Sequence, residues 1–253
     1  MSNDPTKRFS DRVSNYVKYR PGYPKEIINH LEKECYLSAH SVIADVGAGT
    51  GIFTKLLLEK GYKVFAIEPN DAMRDEADSQ LSNFPGYHSM VGKADLTGLT
   101  SQSINLIVCA QAFHWFNTPE TKAEFQRILQ PGGPVVLIWN NRDIEADAFA
   151  AAYDALLKTL GGDYERINHQ NLKEPDFVRF YKNGNYTLTK FANQQVFDFE
   201  QLAGRAFSSS YIPAENTEEG KVFKSALKAI FDQHQRDGKV IFRYNTEVYL
   251  GMV

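Results

Sequence analysis

The sequence predicts an α/β protein: a mostly parallel, twisted sheet with helices on both faces and an antiparallel last strand. Three observations carry this expectation. Short apolar runs alternate with helix-period segments through the first 140 residues, an alternation that makes right-handed β-α-β crossovers. The runs are apolar at nearly every position, as strands are when helices cover both faces. The first run ends in an acid and then has glycine at every second position, Ile43-Ala44-Asp45-Val46-Gly47-Ala48-Gly49-Thr50-Gly51. Strand, glycine loop and helix in that order make room for a nucleotide-like ligand, because glycine lacks Cβ and tolerates positive φ.

Each element has its own signal. Pro24 opens a helix on which Ile27, Ile28 and Leu31 share a face. Residues 42–46 are the first strand. Thr50 caps a helix that runs to 59 and stops at Gly61. Residues 63–67 form the second strand, and Asn70 or Asp71 caps a helix to about 81. Strands follow at 87–91 and 104–110, a helix at 119–129, a Pro131-Gly132-Gly133 turn and a fifth strand at 135–139. Beyond Asn140 the pattern loosens. A helix is expected at 147–160, ended by Gly161-Gly162, while 163–185 shows no clear period. A long strand at 186–199 and a short helix at 200–207 come next. A longer helix at 217–236 places Val222, Phe223, Leu227, Ile230 and Phe231 on one face, and a strand at 239–250 closes the chain.

Composition narrows the function classes. At 253 residues the chain is at the upper end for one domain. A net charge of -3 and the lack of a Lys/Arg block argue against a nucleic-acid partner. Cys35 and Cys109 supply neither a disulfide framework nor a metal site and read as buried free thiols in a reducing compartment. The polar start Met1-Ser2-Asn3-Asp4 is unlike a signal peptide, and no apolar run approaches bilayer length. A cytoplasmic protein with no membrane partner is expected, its oligomeric state open.

Ligand type follows from the loop. Glu68 ends the second apolar run, 23 residues past Asp45, close to the ~20-residue offset of an acid that binds ribose hydroxyls. A dinucleotide loop would have glycine at position 52, where this chain has Ile52. Asp45 would repel a phosphate and suits a cationic ligand such as an amine or sulfonium.

The stretch from Ile43 to Gly51 resembles motif I of the class I S-adenosylmethionine-dependent methyltransferases. Glu68-Pro69-Asn70, Gly92-Lys93-Ala94-Asp95 and Leu129-Gln130-Pro131-Gly132-Gly133 resemble that family's later motifs, in order. The segment from Tyr16 to Pro24, the stretch Ala110-Gln111-Ala112-Phe113-His114-Trp115-Phe116 and Ser208-Ser209-Ser210-Tyr211-Ile212-Pro213 resemble a small-molecule subgroup similar to trans-aconitate methyltransferases.

The resemblance implies a Rossmann-like methyltransferase domain (type 11) over the whole chain. Residues 1–35 would be an N-terminal lid, 36–142 the cofactor-binding core, 143–215 a partial cap and 216–253 the last helix and strand. It implies S-adenosyl-L-methionine as cofactor. Gly47, Ala48, Gly49 and Gly51 would bring backbone to its methionine part, and Asp45 would hold its amino end. Glu68, followed by Pro69, would accept from the ribose diol. Met73 would pack on the adenine, although its helical spacing reads equally as core. Ala94 and Asp95 would line the adenine edge, with Gln111 and Ala112 beside them. Tyr16 and Arg20 would close over the cofactor.

Toward the acceptor, His114 is the candidate catalytic group, orienting the acceptor or taking its proton. Trp115 and Phe116 would form an apolar wall and Arg142 would grip a substrate carboxylate. The expected reaction is methyl transfer to a small-molecule carboxylate or hydroxyl. A non-catalytic cofactor-binding sensor is the alternative. An NAD-type oxidoreductase is disfavoured by Ile52 and Asp45. Nucleic-acid methylation is disfavoured because Gln111-Ala112-Phe113-His114 stands where an Asn/Asp-Pro-Pro-Tyr/Phe motif would.

Overall fold

The computed structural model describes residues 18–164 and 172–253. Seven strands form one sheet in the order β3-β2-β1-β4-β5-β7-β6. β1 (Val42–Val46), β2 (Lys63–Ile67), β3 (Tyr87–Met90), β4 (Leu106–Ala110) and β5 (Val135–Arg142) pair in parallel. β7 (Val240–Gly251) lies antiparallel between β5 and β6 (Tyr186–Phe197). The strand order reverses at β1, so β1 and β4 leave a crevice at their carboxyl ends.

Helices cover both faces because both faces are apolar. Leu106, Ile107, Val108 and Cys109 are all fully buried although successive residues point to opposite sides. On one side Leu106, Val108, Val136 and Ile138 pack against α1 (Glu26–Glu34), α2 (Ile52–Glu59) and α3 (Asp71–Leu81) through Ile27, Leu57 and Leu81. On the other, Ile107, Cys109, Leu137 and Trp139 pack against α4 (Pro119–Ile128) and α6 (Glu174–Phe180) through Phe125, Phe177 and Phe180. Each such side chain contributes about 1.5–3 kcal/mol of burial. A third apolar cluster joins α5 (Ala148–Leu160), α7 (Phe199–Phe207) and α8 (Glu218–His234) to Phe242 and Tyr244 of β7. No helix among the described residues is long and apolar enough to cross a membrane.

Several boundaries differ from the expectation. The first helix begins at Glu26, two residues past Pro24, whose carbonyl accepts from Ile27 N. α2 is capped by Gly51 at φ 78°, not by the Thr50 side chain. Ile104 precedes β4 as an isolated bridge to Leu129. β5 runs on to Arg142, because β7 pairs with it residue by residue as far as Tyr244. Within 163–185, α6 escaped notice: seven residues are under two turns, too short to display a period. Val222 is 57% exposed and does not share the buried face of Phe223, Leu227 and Phe231. Asn70, not Asp71, caps α3, its side chain accepting from Met73 N at 3.0 Å.

Candidate active site

A cavity of about 390 Å³ opens at the carboxyl ends of β1, β2 and β4, a volume suited to a nucleoside-sized ligand. The glycine loop forms one wall. Gly47 sits at φ 74°, and a Cβ there would lie 2.6 Å from Ala112 Cβ. Gly51, at φ 78°, abuts Leu81 of α3 in the same way. Its lack of a side chain therefore serves the packing of α2 on α3, and Gly51 is not among the residues lining the cavity.

Glu68 is 8% exposed and lines the cavity. Its Oε2 accepts from Gly49 N at 2.9 Å and its Oε1 from Asn70 N at 2.9 Å. These bonds fix the carboxylate across the loop and leave each oxygen a further lone pair. Burial pushes its pKa up, against the pull of the two backbone N–H groups and Arg74. Met73 lies on the same side, and Pro69 continues the wall. Ala94 and Asp95 enter from the loop after β3. That loop is held by Glu124, whose Oε1 accepts from Thr97 N and Oγ1 at 2.9 and 2.5 Å. Arg127, 2.7 Å from Glu124 Oε2, keeps this carboxyl down at about 2, with Thr97 assisting. Gln111 and Ala112 close the far side. Gln111 sits at φ 58° and donates its N–H to Ile138 O at 2.8 Å.

Of the residues expected to bind the cofactor, Gly47, Ala48, Gly49, Glu68, Pro69, Met73, Ala94, Asp95, Gln111 and Ala112 line this one cavity, as does Trp115 from the acceptor set. Others stand elsewhere. Asp45 is 1% exposed and lies beneath the loop, where Thr54 Oγ1 donates to its Oδ2 at 2.6 Å and Oδ1 has no partner among the described residues. Its burial, reinforced by the nearby Glu68 charge, raises its pKa to about 7 against the Thr54 hydrogen bonds. His114 sits in a 3-10 turn, Phe113–Trp115, outside the cavity lining. The indole N–H of Trp139 faces His114 Nδ1 at 3.4 Å. An indole N–H only donates, so Nδ1 is the accepting nitrogen and the neutral ring carries its proton on Nε2. Arg20 and Arg142 also lie outside the cavity lining. Arg20 Nη2 donates to Ser208 O at 3.1 Å, and Arg142 stacks over Tyr153 at 4.8 Å. Tyr16 lies outside the described residues.

Sequence reasoning missed Tyr23 and Thr50 in the cavity lining, whereas Phe116, expected with Trp115 in an apolar wall, does line it. Tyr23 belongs to a short strap, residues 20–23, that passes over the end of β5. Gly22 O accepts from Asn140 Nδ2 at 3.2 Å and Asn193 Nδ2 at 2.9 Å, and Tyr23 meets Phe53 edge-on at 5.1 Å. Thr50 Oγ1 is buried without a hydrogen-bond partner among the described residues, beside the cavity. Its place in the glycine loop was the available signal.

This arrangement fits an adenosyl ligand bearing a cation. A fixed carboxylate suits the vicinal diol, Met73 and Ala94 offer apolar faces to a base, and the anion-repelling Asp45 underlies the loop. Ile52, in place of a third glycine, lines the cavity at the start of α2 and disfavours a pyrophosphate there.

A family model described as a methyltransferase domain matches residues 44–137. An uncharacterized methyltransferase of Schizosaccharomyces pombe is 26% identical over 244 residues, 96% of each chain. One of Mycobacterium tuberculosis is 35% identical over 140 residues, and there the match spans about half of each chain, 55%. Among solved structures, a provisionally named type II methyltransferase of Anaeromyxobacter dehalogenans has a TM-score of 0.64 at 20% identity, covering 92% of this chain and 98% of its own. A methyltransferase of Thiobacillus denitrificans in complex with S-adenosyl-L-homocysteine has a TM-score of 0.54 at 15% identity, covering 100% of both. At these identities the solved structures speak for the fold alone. Residues 44–137 thus carry a methyltransferase domain, and in sequence motifs and fold the chain is similar to the class I S-adenosylmethionine-dependent methyltransferases.

Proposed function

We propose that the protein transfers the methyl group of S-adenosylmethionine to a carboxylate or hydroxyl of a small-molecule acceptor. The observation that carries this reading is the Glu68 carboxylate, pinned by Gly49 N and Asn70 N and facing a nucleoside-sized cavity. Glu68 accepts from the ribose diol, Asp95 from the adenine amine, and the 47–49 backbone borders the methionine part. Asp45 acts from below the loop, on the amino end through water or as a buried counter-charge. Gly51 contributes through helix packing.

The bound cofactor supplies an activated methyl on a sulfonium. The chain's own residues place the acceptor in line and keep water out, and orientation alone can lower the barrier by ~7–11 kcal/mol. The strap carrying Arg20 and Tyr23 supports a lid role for the N-terminal segment, of which Tyr16 would be part. His114, with its proton on Nε2, orients an acceptor oxygen as a donor, the first of the two roles expected of it, rather than taking a proton. A carboxylate acceptor needs no base, and a hydroxyl would find its proton acceptor elsewhere. Trp115 supplies the apolar wall.

Calorimetric titration of S-adenosylmethionine into the wild type and Glu68→Ala tests the binding half of the reading. Equal affinities would remove the ribose role. Turnover of methyl-labelled cofactor on a panel of carboxylates and alcohols tests the other half. Tight binding with no acceptor consumed would favour a sensor on the same fold.

A further inference from the structure

The first half of the chain holds the cavity, but a buried cation without an ion-pair partner among the described residues lies elsewhere. Arg205, on α7, is 7% exposed. Its Nη1 donates to Ser209 Oγ at 3.2 Å and Tyr244 is a polar neighbour, yet no carboxylate lies within ion-pair distance among the described residues and Nε has no acceptor. Arg142, the last residue of β5, has a side chain 14% exposed and stacked on Tyr153 and Tyr164 at 4.8 and 5.8 Å. Its nearest acid, Asp154, stands 4.0 Å away and is already engaged by Lys158 at 2.8 Å and Tyr164 at 2.8 Å. Arg142 thus has one distant, committed carboxylate, and Arg205 has none within ion-pair distance among the described residues. A buried cation is costly unless an anion and hydrogen bonds answer it.

The charges converge. Arg142, Arg205 and Arg20 all act on the hydroxyl of half-buried Tyr211 and hold its pKa below the ordinary value, although burial alone would raise it. The cluster also adjoins the cavity. Arg142 lies at the carboxyl end of β5, and the strap that contributes Arg20 contributes Tyr23 to the cavity wall three residues later, a chain distance of at most ~10 Å.

We infer that Arg142 and Arg205, with the Tyr211 hydroxyl, form a second subsite that receives an anionic group, a carboxylate or a phosphate, of the methyl acceptor. The ligand supplies the counter-charge that the fold withholds. Arg205 presents an unused Nε–H, and Arg142, stacked by its face and donating from Nη2 to Tyr164 Oη at 2.8 Å, has its Nε and Nη1 in the same plane for a planar oxyanion. The assignment of that ligand as the acceptor rests on the methyltransferase reading, whereas the anion site itself does not.

The test uses the full chain with S-adenosylhomocysteine present, titrated calorimetrically with succinate, glutarate and inorganic phosphate in a chloride-free buffer. Saturable binding of a dicarboxylate or phosphate is expected, and the tighter arm assigns the group. Arg205→Met should weaken that binding at least about tenfold and leave the affinity for S-adenosylhomocysteine within about twofold. Without anion its melting temperature should equal or exceed the wild type's, because an unanswered charge has been removed. Should Arg205→Met not fold, Tyr211→Phe carries the test and should weaken the anion several-fold. The subsite is overturned if no anion saturates into the tens of millimolar. It is also overturned if the variant that folds binds the anion as the wild type does, or if a folded Arg205→Met melts well below the wild type with no anion effect. Failure of the wild type to bind S-adenosylhomocysteine would overturn the methyltransferase reading instead.

Discussion

The cofactor cavity and the arginine cluster lie at the same edge of one sheet and are built in opposite ways. The cavity draws on contiguous stretches of the first half, uses backbone N–H groups and one fixed carboxylate, and carries acids that burial pushes up. The cluster joins residue 142 to residues 205 and 211, more than 60 positions further along the chain, and gathers cations around tyrosines. A ligand common to many enzymes is met by a fixed local geometry. A ligand particular to one enzyme is met by side chains that tertiary packing brings together. The two charge signs also match two partners, a cation in the first site and an anion in the second.

Substitutions separate the two sites, and the largest effect is expected in the first. On the proposed binding mode, Glu68→Ala removes the acceptor of two ribose hydrogen bonds to a charged group, each worth about 1.5–3 kcal/mol. The affinity for S-adenosylmethionine should fall by about 100-fold or more in calorimetry, with the anion affinity unchanged.

Asp45 comes next, through pH. Its folded pKa of about 7 lies above the ordinary carboxylate value, so its contribution to stability is fully present below about pH 4 and is lost as pH rises through 7. Melting temperature should decline across that window by the equivalent of a few kcal/mol, and Asp45→Asn should flatten the decline. A cationic ligand draws Asp45 to its ionised form, so affinity for S-adenosylmethionine should rise with pH over the same range. A flat wild-type profile would contradict the assignment.

Gly47→Ala combines a positive φ with a Cβ 2.6 Å from Ala112, and unfolding should show a loss of about 2–4 kcal/mol. Arg205→Met should cost the second site about tenfold and the first nothing measurable. The smallest effect is expected at Gly204, in the middle of α7, where a Cβ would lie 2.1 Å from the Tyr19 ring. Alanine is worth about 1 kcal/mol more than glycine within a helix. Gly204→Ala should therefore leave stability nearly unchanged while displacing the strap, read as faster proteolysis near Tyr19 and a several-fold loss of ligand affinity.

The same contrast explains what the sequence revealed. The order of strands and helices through β5 was legible because each element carries its own period, cap or turn. The glycine loop and Glu68 were legible because a fixed offset joins them. The burial of Asp45 beneath the loop was not, since an acid next to a glycine loop reads the same whether it faces in or under. Arg142 was noticed for its place after an apolar run, yet β5 proved longer than that run because β7 extends the pairing. Arg205 and Tyr211 gave no signal as partners of Arg142. Their neighbourhood exists only once α7 packs near β7, and no spacing rule spans such a distance. Helix α6 stayed hidden for want of length, and Val222 was misplaced because a helix of mixed polarity allows two registers.

Strand β5 is where the two halves meet. Within five residues Ile138 accepts from the Gln111 N–H beside the cavity, Trp139 faces His114, Asn140 holds the strap and Arg142 enters the cation cluster. Even-numbered positions serve one side of the sheet and Trp139 the other. Losing or gaining a single residue in this strand would exchange those sides and disarm cofactor wall, strap and anion grip together. Length changes in lineages of this enzyme should accordingly collect in the segments that follow β5 and spare the strand.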